Sequence, residues 1–232
     1  MIAESATGAR RRIYGRRRGR KLRAGRRALM DTLLPRLRIA LPPTGMLDPA
    51  TMVPQAKDLW LEIGFGAGEH LAAQARAHPD FAVLGAEVFE NGIAKLLAAI
   101  ERDGLANVRL FVDDARLLLA CLPDRSLGRA FILYPDPWPK ERHKKRRIVA
   151  PETLDQLART LRPGAELRVA TDDADYAAWI ANTLAGRSDF VVLACVDGDW
   201  PDRPADWPAT RYEQKAAAAG RRPQFFRLAR RG

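Results

Sequence analysis

One carboxylate held between prolines is the group in this chain best placed to do chemistry. The run Tyr134-Pro-Asp-Pro-Trp-Pro-Lys-Glu-Arg-His-Lys-Lys-Arg-Arg147 sets Asp136 between two prolines, follows it with Trp138, and then places six lysines or arginines within eight residues. Proline fixes φ and has no N–H, so Pro135, Pro137 and Pro139 forbid a helix or a central strand and leave a stiff loop. Just ahead, Ala130-Phe-Ile-Leu-Tyr134 is an apolar run of the length of a buried strand. An acid and an aromatic at a strand's end, followed by bases, suit a site that grips a nucleobase and its phosphates. A proline-rich connector with a solvated charged face is the plainer alternative.

A second constellation is Glu62-Ile-Gly-Phe-Gly-Ala-Gly68, which closes one apolar run and opens a helical one. Gly64, Gly66 and Gly68 let the backbone turn sharply beside a ligand, and a helix start offers unpaired N–H groups. Nicotinamide and flavin enzymes use a similar turn. Here the spacing is Gly-x-Gly-x-Gly, and Glu62 stands just before it. Glu87 ends the next apolar run, where a carboxylate can accept from ribose hydroxyls, and Asp114 ends the third, within reach of an adenine amino group. Acids in these places suit a cofactor carrying an ammonium and a sulfonium better than one carrying a pyrophosphate. S-adenosylmethionine fits that description and a nicotinamide dinucleotide does not. Ordinary strand-end acids are the alternative for Glu87 and Asp114.

The elements that must position these residues follow from periodicity. Residues 59–65, 82–88, 108–113, 129–134 and 165–171 read as strands, and 69–78, 90–103, 151–161 and 173–186 as helices. Strands separated by helices of this length predict βαβ units, hence a mostly parallel sheet with helices on both faces. Residues 190–196 and 225–229 supply two later strands, giving a seven-stranded, Rossmann-like α/β domain. The 232 residues, 47% hydrophobic, suit one such domain. Two further segments read as helix starts: Thr171-Asp-Asp173, and Thr210-x-x-Glu213, a capping-box pattern with Gly220 as a stop.

The formal charge of +11 is unevenly spread. Residues 1–40 carry 13 lysines and arginines against Glu4 and Asp31, while the remainder holds 26 bases and 26 acids. Dense like charge buries little apolar surface, so residues 1–40 are predicted to form a flexible basic arm and residues 41–232 the folded domain. Polyanions are the natural partner of such an arm, because neutralised phosphates release counterions. A targeting peptide is a rival reading, and anionic membrane another, but no amphipathic stripe of large apolar residues supports the latter. Cys121 and Cys195 lack metal-ligand spacing and read as core thiols of a reducing compartment. His70, His78 and His143 are scattered, so no metal is expected. With no membrane-length apolar run and no signal sequence, a cytoplasmic protein is expected.

Taken together these motifs resemble the TrmB-type tRNA (guanine-N7)-methyltransferases. The resemblance is carried by the glycine turn, by Gly85-Ala-Glu87, Asp114-Ala115, Pro135-Asp-Pro-Trp-Pro-Lys140 with its basic tail, Ala170-Thr-Asp172 and Thr210-Arg-Tyr-Glu213. It implies a class I S-adenosylmethionine-dependent methyltransferase acting on tRNA at a variable-loop guanine, with no obligate protein partner evident. By the same resemblance Glu62, Glu87, Asp114 and Asp136 contact the cofactor, and Asp136 is also the catalytic residue. Lys140, Asp172, Thr210, Arg211, Tyr212 and Glu213 fall at positions assigned to the RNA. The chain departs from the family at Lys144, where a second histidine is usual, and at Gln214 to Gly220. A methyltransferase acting on rRNA, a non-catalytic RNA-binding subunit and a nicotinamide oxidoreductase are the competing functions. Asp136 could either stabilise positive charge on the reacting guanine or accept from guanine N1–H and N2–H. Trp138 could stack on a base or pack against the sheet edge.

Overall fold

The computed structural model of the chain describes residues 13–193 and 203–232. In chain order the elements are α1 (Ala24–Thr32), α2 (Leu34–Leu37), α3 (Pro49–Met52), β1 (Asp58–Ile63), α4 (Glu69–Ala77), β2 (Phe81–Ala86), α5 (Glu90–Asp103) and β3 (Val108–Phe111). There follow α6 (Ala115–Cys121), β4 (Leu127–Leu133), α7 (Glu141–Lys144), α8 (Pro151–Thr160), β5 (Leu161–Thr171), α9 (Ala174–Ala185), β6 (Phe190–Val192), α10 (Arg211–Ala218) and β7 (Gln224–Arg230).

The seven strands form one sheet in the order β3-β2-β1-β4-β5-β7-β6, with β1 to β5 parallel and β7 antiparallel to both neighbours. This is the doubly wound arrangement expected from the alternation of runs. Strand β1 is buried from Leu59 to Ile63, as a strand covered on both faces must be. One face of the sheet packs Leu61, Leu84, Ile132 and Val169 against α6, α8 and α9. The other packs Val83, Val108 and Leu110 against Leu71 of α4 and Leu96, Leu97 and Ile100 of α5. Truncating any of these leucines to alanine costs about 2–5 kcal/mol.

The domain boundary set by charge differs from the structure. Residues 24–37 are helical, and Leu29, Leu34 and Leu37 are buried in the core layer that holds α5. Ile39 N–H then donates to Leu110 O at 2.8 Å, extending the β3 edge. Charge counting misplaces the boundary because it registers the arginines, which face solvent, and not the leucines spaced to share the opposite side of a helix. The N-terminal part of the arm, residues 1–12, lies outside the described residues.

Three smaller differences concern ends. Strands β1 to β3 stop two residues short of their predicted ends, because Gly64-Phe65, Glu87-Val88 and Val112-Asp113 already belong to the loops above the sheet. Helix α6 has no counterpart among the predicted elements; its one-turn apolar run Leu117-Leu-Leu119 is too short to show a period. The strand predicted over 190–196 is seen as Phe190–Val192, with 194–196, including Cys195, outside the described residues. Cys121 is buried.

Candidate active site

A cleft of about 360 Å³ opens above the C-terminal ends of β1, β2, β3 and β4, where ligands sit in doubly wound sheets. One wall is backbone. Gly64, Gly66 and Gly68 all have left-handed φ, at 72°, 56° and 77°, and carry the chain from β1 into α4. The turn is shaped by a second constraint in α5: a Cβ on Gly92 would stand 2.0 Å from Gly66 O, so only glycine lets α5 start against the turn.

Glu87 closes that wall. Its Oε2 accepts from Gly66 N–H at 2.8 Å and its Oε1 from the N–H groups of Val88 and Phe89, at 2.7 and 3.0 Å. Burial pushes its carboxyl above the ordinary glutamate value, and these three hydrogen bonds oppose that rise. Three of about four acceptor positions are thus occupied, leaving Oε2 room for one more donor. Asp114, at the start of α6, accepts from Arg116 N–H at 3.1 Å and pairs with the same residue's guanidinium. It caps a helix and lines the cleft at once.

Glu62 does not line the cleft. It is buried beneath the turn, where its Oε2 accepts from His70 Nδ1 at 2.7 Å. His70 Nε2 meets Gln74 Nε2 at 3.2 Å, and Gln74 donates onward to Asp206 O at 3.0 Å. Arg168 holds the Asp206 carboxylate with hydrogen bonds of 3.0 and 2.8 Å. Glu62 therefore acts through these partners to join the glycine turn to the loop that precedes α10. His70, unassigned by the sequence reading, is the link, and its i,i+4 spacing to Gln74 is the available signal.

The facing wall is made of side chains. Tyr134 and Trp138 have left-handed φ, 51° and 45°, and bracket Asp136. Non-glycine residues in that region cost about 1–3 kcal/mol each, so the loop must be held. Tyr134 N–H donates to Ala170 O at 2.8 Å, and Arg147 Nε donates to Pro137 O at 2.7 Å. Arg147 is fully buried, stacked on Tyr176 and Trp179 and paired with Asp175. Read from sequence as a phosphate ligand, Arg147 is instead the anchor of the proline loop, because a planar guanidinium can stack and hydrogen-bond at once. Lys144 is likewise engaged, by Glu141 and Asp175. Lys140 stands exposed at the start of α7, outside the cleft.

Asp136 keeps an open face, yet the walls strip enough water from it to push its carboxyl above the ordinary aspartate value. Trp138 lines the cleft, and Arg146 lies over both Trp138 and Tyr14, at 4.9 and 5.2 Å from the ring centres. Tyr14 belongs to a segment crossing the cleft: a Cβ on Gly15, whose φ is 88°, would stand 3.3 Å from Asp136 Oδ2. Tyr14 and Arg16 are cleft residues that the motifs do not reveal, and Tyr134, which opens the proline motif, lines the cleft as well.

The C-terminal segment completes the site. Thr210 caps α10 by accepting from Glu213 N–H at 3.3 Å, and Glu213 pairs with Arg203 at 2.9 Å, outside the reciprocal capping box. Tyr212 lines the cleft, stacks on Tyr134 with ring centres 6.2 Å apart, and would touch any Cβ on Gly66. Arg211 lies against the ring of Tyr212 and 3.7 Å from Glu69. Asp173, not Asp172, caps α9, which leaves the Asp172 carboxylate to pair with Arg221 at 2.8 Å. Burial first, then the nearby Glu213 and Asp172 carboxylates, push the Tyr134 phenol well above its ordinary value. Among the described residues its hydroxyl has no hydrogen-bond partner.

The same wall also separates the two cofactor classes. In a dinucleotide site the N–H groups of the glycine turn face a pyrophosphate, whereas here Gly66 N–H is taken by Glu87. Among the described residues no group of three or more histidines, cysteines or acids is placed to hold a metal, and no helix is long and apolar enough to cross a membrane.

Comparison with known proteins bears on the family and the fold. A family model described as "Putative methyltransferase" matches residues 56–225. The tRNA (guanine-N(7)-)-methyltransferase of Paramagnetospirillum magneticum is 52% identical, over 98% of this chain and 96% of that protein. Its counterpart in Rhodospirillum rubrum is 49% identical, over 95% and 88%. Among solved structures, the 16S rRNA methyltransferase KamB superposes with a TM-score of 0.55 at 20% identity, covering 76% of this chain and 88% of that one. An rRNA methylase of Streptococcus thermophilus gives 0.51 at 15%, covering 77% and 89%. These two likenesses concern the fold, a class I methyltransferase sheet. Sequence identity over nearly the whole length is what assigns the family: the chain belongs to the TrmB family of tRNA (guanine-N7)-methyltransferases.

Proposed function

We propose that the chain transfers a methyl group from S-adenosylmethionine to N7 of a guanine in the variable loop of tRNA, giving 7-methylguanosine. The observation that carries this reading is one cleft walled on one side by Gly66 and Glu87 and on the other by Asp136 on its pinned proline loop. The residues fit the cofactor: the glycine turn leaves the space a Cβ would fill, Glu87 Oε2 keeps an acceptor position for a ribose hydroxyl, and Asp114 stands beyond β3, at the start of α6, for an amino group. Bound there, the cofactor supplies a methyl group activated by its sulfonium.

The remaining work falls to the chain's own residues. Guanine N7 carries a free lone pair at neutral pH, so no residue needs to remove a proton from it. Catalysis then rests on placement and electrostatics. A carboxylate lying nearer the base than the sulfonium favours the state in which positive charge has moved onto guanine. Asp136 is the acid in that position, on a loop whose geometry is fixed before substrate arrives. Trp138 and Tyr14 offer ring faces and edges to a base, and Arg146 completes the group. Tyr134, Asp172, Tyr212 and Glu213 gather on the flank, where Tyr134 Oη and the Asp172 carboxylate can meet sugar or base polar groups. Glu62 and Thr210 serve as positioning residues. A tRNA substrate supports a cytoplasmic location.

The test is incubation with radiolabelled S-adenosylmethionine and unmodified bulk tRNA, followed by reduction and aniline cleavage. Cleavage at one variable-loop guanine is the expected result. Label in rRNA and none in tRNA would overturn the substrate and keep the chemistry.

A further inference from the structure

A second cavity, of about 400 Å³, lies beside the active cleft and shares Arg16 and Phe89 with it. Its walls carry Arg20, Lys21, Arg23 and Arg26 from the N-terminal segment, Lys95 from α5 and Arg211 from α10, and no acid lines it. Among the described residues no carboxylate pairs with Arg20, Lys21, Arg23, Arg26 or Lys95. Two acids lie close by: Glu90 pairs with Arg18 and Arg27, and Glu69 lies 3.7 Å from Arg211 of the cavity wall and offsets part of the positive charge around Lys95.

The cavity is built rather than a chance gathering of surface bases. Gly19 N–H donates to Asn91 Oδ1 at 2.6 Å, Asn91 Nδ2 donates back to Arg20 O at 2.7 Å, and Glu90 N–H donates to Arg17 O at 2.9 Å. These bonds stitch the segment onto the start of α5, so closely that a Cβ on Gly19 would stand 2.6 Å from Asn91 Oδ1. Like charges gathered this way repel one another. Burial, and then the neighbouring Arg211 and Arg26, push the Lys95 ammonium below its ordinary value. An anion seated among these groups removes that repulsion.

We propose that this cavity is a phosphate subsite that holds a backbone phosphodiester of the substrate RNA beside the nucleotide presented to the active cleft. The proposal rests on the RNA reading of that cleft. An RNA phosphate is favoured over a free anion because the cavity adjoins the cleft, with Arg16 and Phe89 lining both, so one strand can reach from one to the other. Its role is positional: it fixes the register of the strand and reads no base.

The experiment measures binding of the full chain to unmodified tRNA by filter retention, without cofactor, across a salt series. It compares wild type with Arg26→Glu/Lys95→Glu, with the milder Arg26→Gln/Lys95→Gln in case the reversal disturbs folding. Arg125→Glu/Arg231→Glu makes the same change of net charge at the opposite end of the strands, before β4 and after the antiparallel β7. The pocket variants are expected to lose affinity by about tenfold or more and to flatten the log–log salt slope by roughly 0.7–0.9 for each phosphate no longer neutralised. S-adenosylmethionine affinity should stay within about twofold of wild type, and the opposite-end control should keep its tRNA affinity and slope. Equal losses in pocket and control variants, or none in either, would overturn the subsite. A parallel titration uses inorganic phosphate and pyrophosphate. If the reversal abolishes tight binding of these anions and leaves tRNA binding untouched, the cavity serves a free anion and the proposal falls. The two levels separate cleanly: tRNA bound through the pocket but never methylated at N7 overturns the proposed function alone, and tRNA methylated with no pocket effect overturns the subsite alone.

Discussion

The two walls of the active cleft are made by different means. The cofactor wall is backbone: three left-handed glycines, a carboxylate fastened by three N–H groups, and a helix pressed against the turn by the absence of one methyl group at Gly92. The substrate wall is side chain: Tyr14 meets Trp138 edge-on with Arg146 over both rings, and Tyr134 stacks on Tyr212, each group joining segments far apart in the chain. A wall of backbone has one shape and belongs to the stability of the fold. A wall of stacked rings and guanidiniums can be thinned without unfolding anything, and it can yield when a base enters.

That contrast can be broken by experiment. The largest effect is expected at Asp136, where Asp136→Asn keeps the shape and removes the charge. A fall of about 10²–10³ in kcat at saturating substrates is expected if it offsets positive charge; wild-type turnover would refute that role. Because desolvation raises the Asp136 pKa and the charged form is the working one, kcat/KM should fall as pH drops through a value above the ordinary aspartate range. The Asn variant should lose that acidic limb, provided tRNA and fold survive the pH series.

Gly92→Ala probes the backbone wall. A methyl group 2.0 Å from Gly66 O forces α5 off the turn. A loss of about 2–3 kcal/mol, or ~5–10 °C in melting temperature, should accompany weaker cofactor binding in calorimetry. Cofactor affinity unchanged in a destabilised Gly92→Ala protein would mean that the turn and the fold are separable, and the backbone wall would no longer differ from the side-chain wall.

Trp138→Ala probes the other wall. It should raise the tRNA KM by an amount equivalent to ~1–3 kcal/mol while melting temperature and cofactor affinity hold. A large drop in melting temperature would make Trp138 part of the core instead. The smallest effect is expected at Gly15→Ala, where a left-handed φ and a 3.3 Å approach to Asp136 Oδ2 disfavour the crossing segment by about 1 kcal/mol. A few-fold rise in tRNA KM with unaltered stability is the expected reading; no change would show that the segment need not lie across Asp136 during turnover.

The same contrast explains what is legible in the sequence. Strands β1, β2 and β4 are covered on both faces and so appear as mostly apolar runs, interrupted by Glu62 in β1 and by Arg129 in β4, and the glycines that turn β1 into α4 stand out because few other residues adopt their φ. Residues 24–39 are misjudged from sequence because arginines on the outer side of α1 mask the leucines beneath. Arg147 is misjudged for a related reason: a basic run in sequence does not say which of its members turns inward. Its position before the glycines assigns Glu62 to the cofactor, whereas in the fold it meets His70, which the next helix turn brings beneath it.

By itself the sequence determined the alternation of strands and helices along the chain that makes a parallel sheet, the glycine turn, the acids at the strand ends and the rigidity of the loop carrying Asp136. Each of these follows from local chemistry: periodicity, the φ values open to glycine, and the missing N–H of proline. Tertiary structure alone decided that Tyr14 and Gly15 cross Asp136, that Tyr212 stacks on Tyr134 beside Gly66, and that Arg147 is a buried anchor. It alone gathered Arg20, Arg26, Lys95 and Arg211 around one cavity. These pairings join residues tens to nearly two hundred positions apart, and no local preference of the chain encodes which distant side chain will fill a given space.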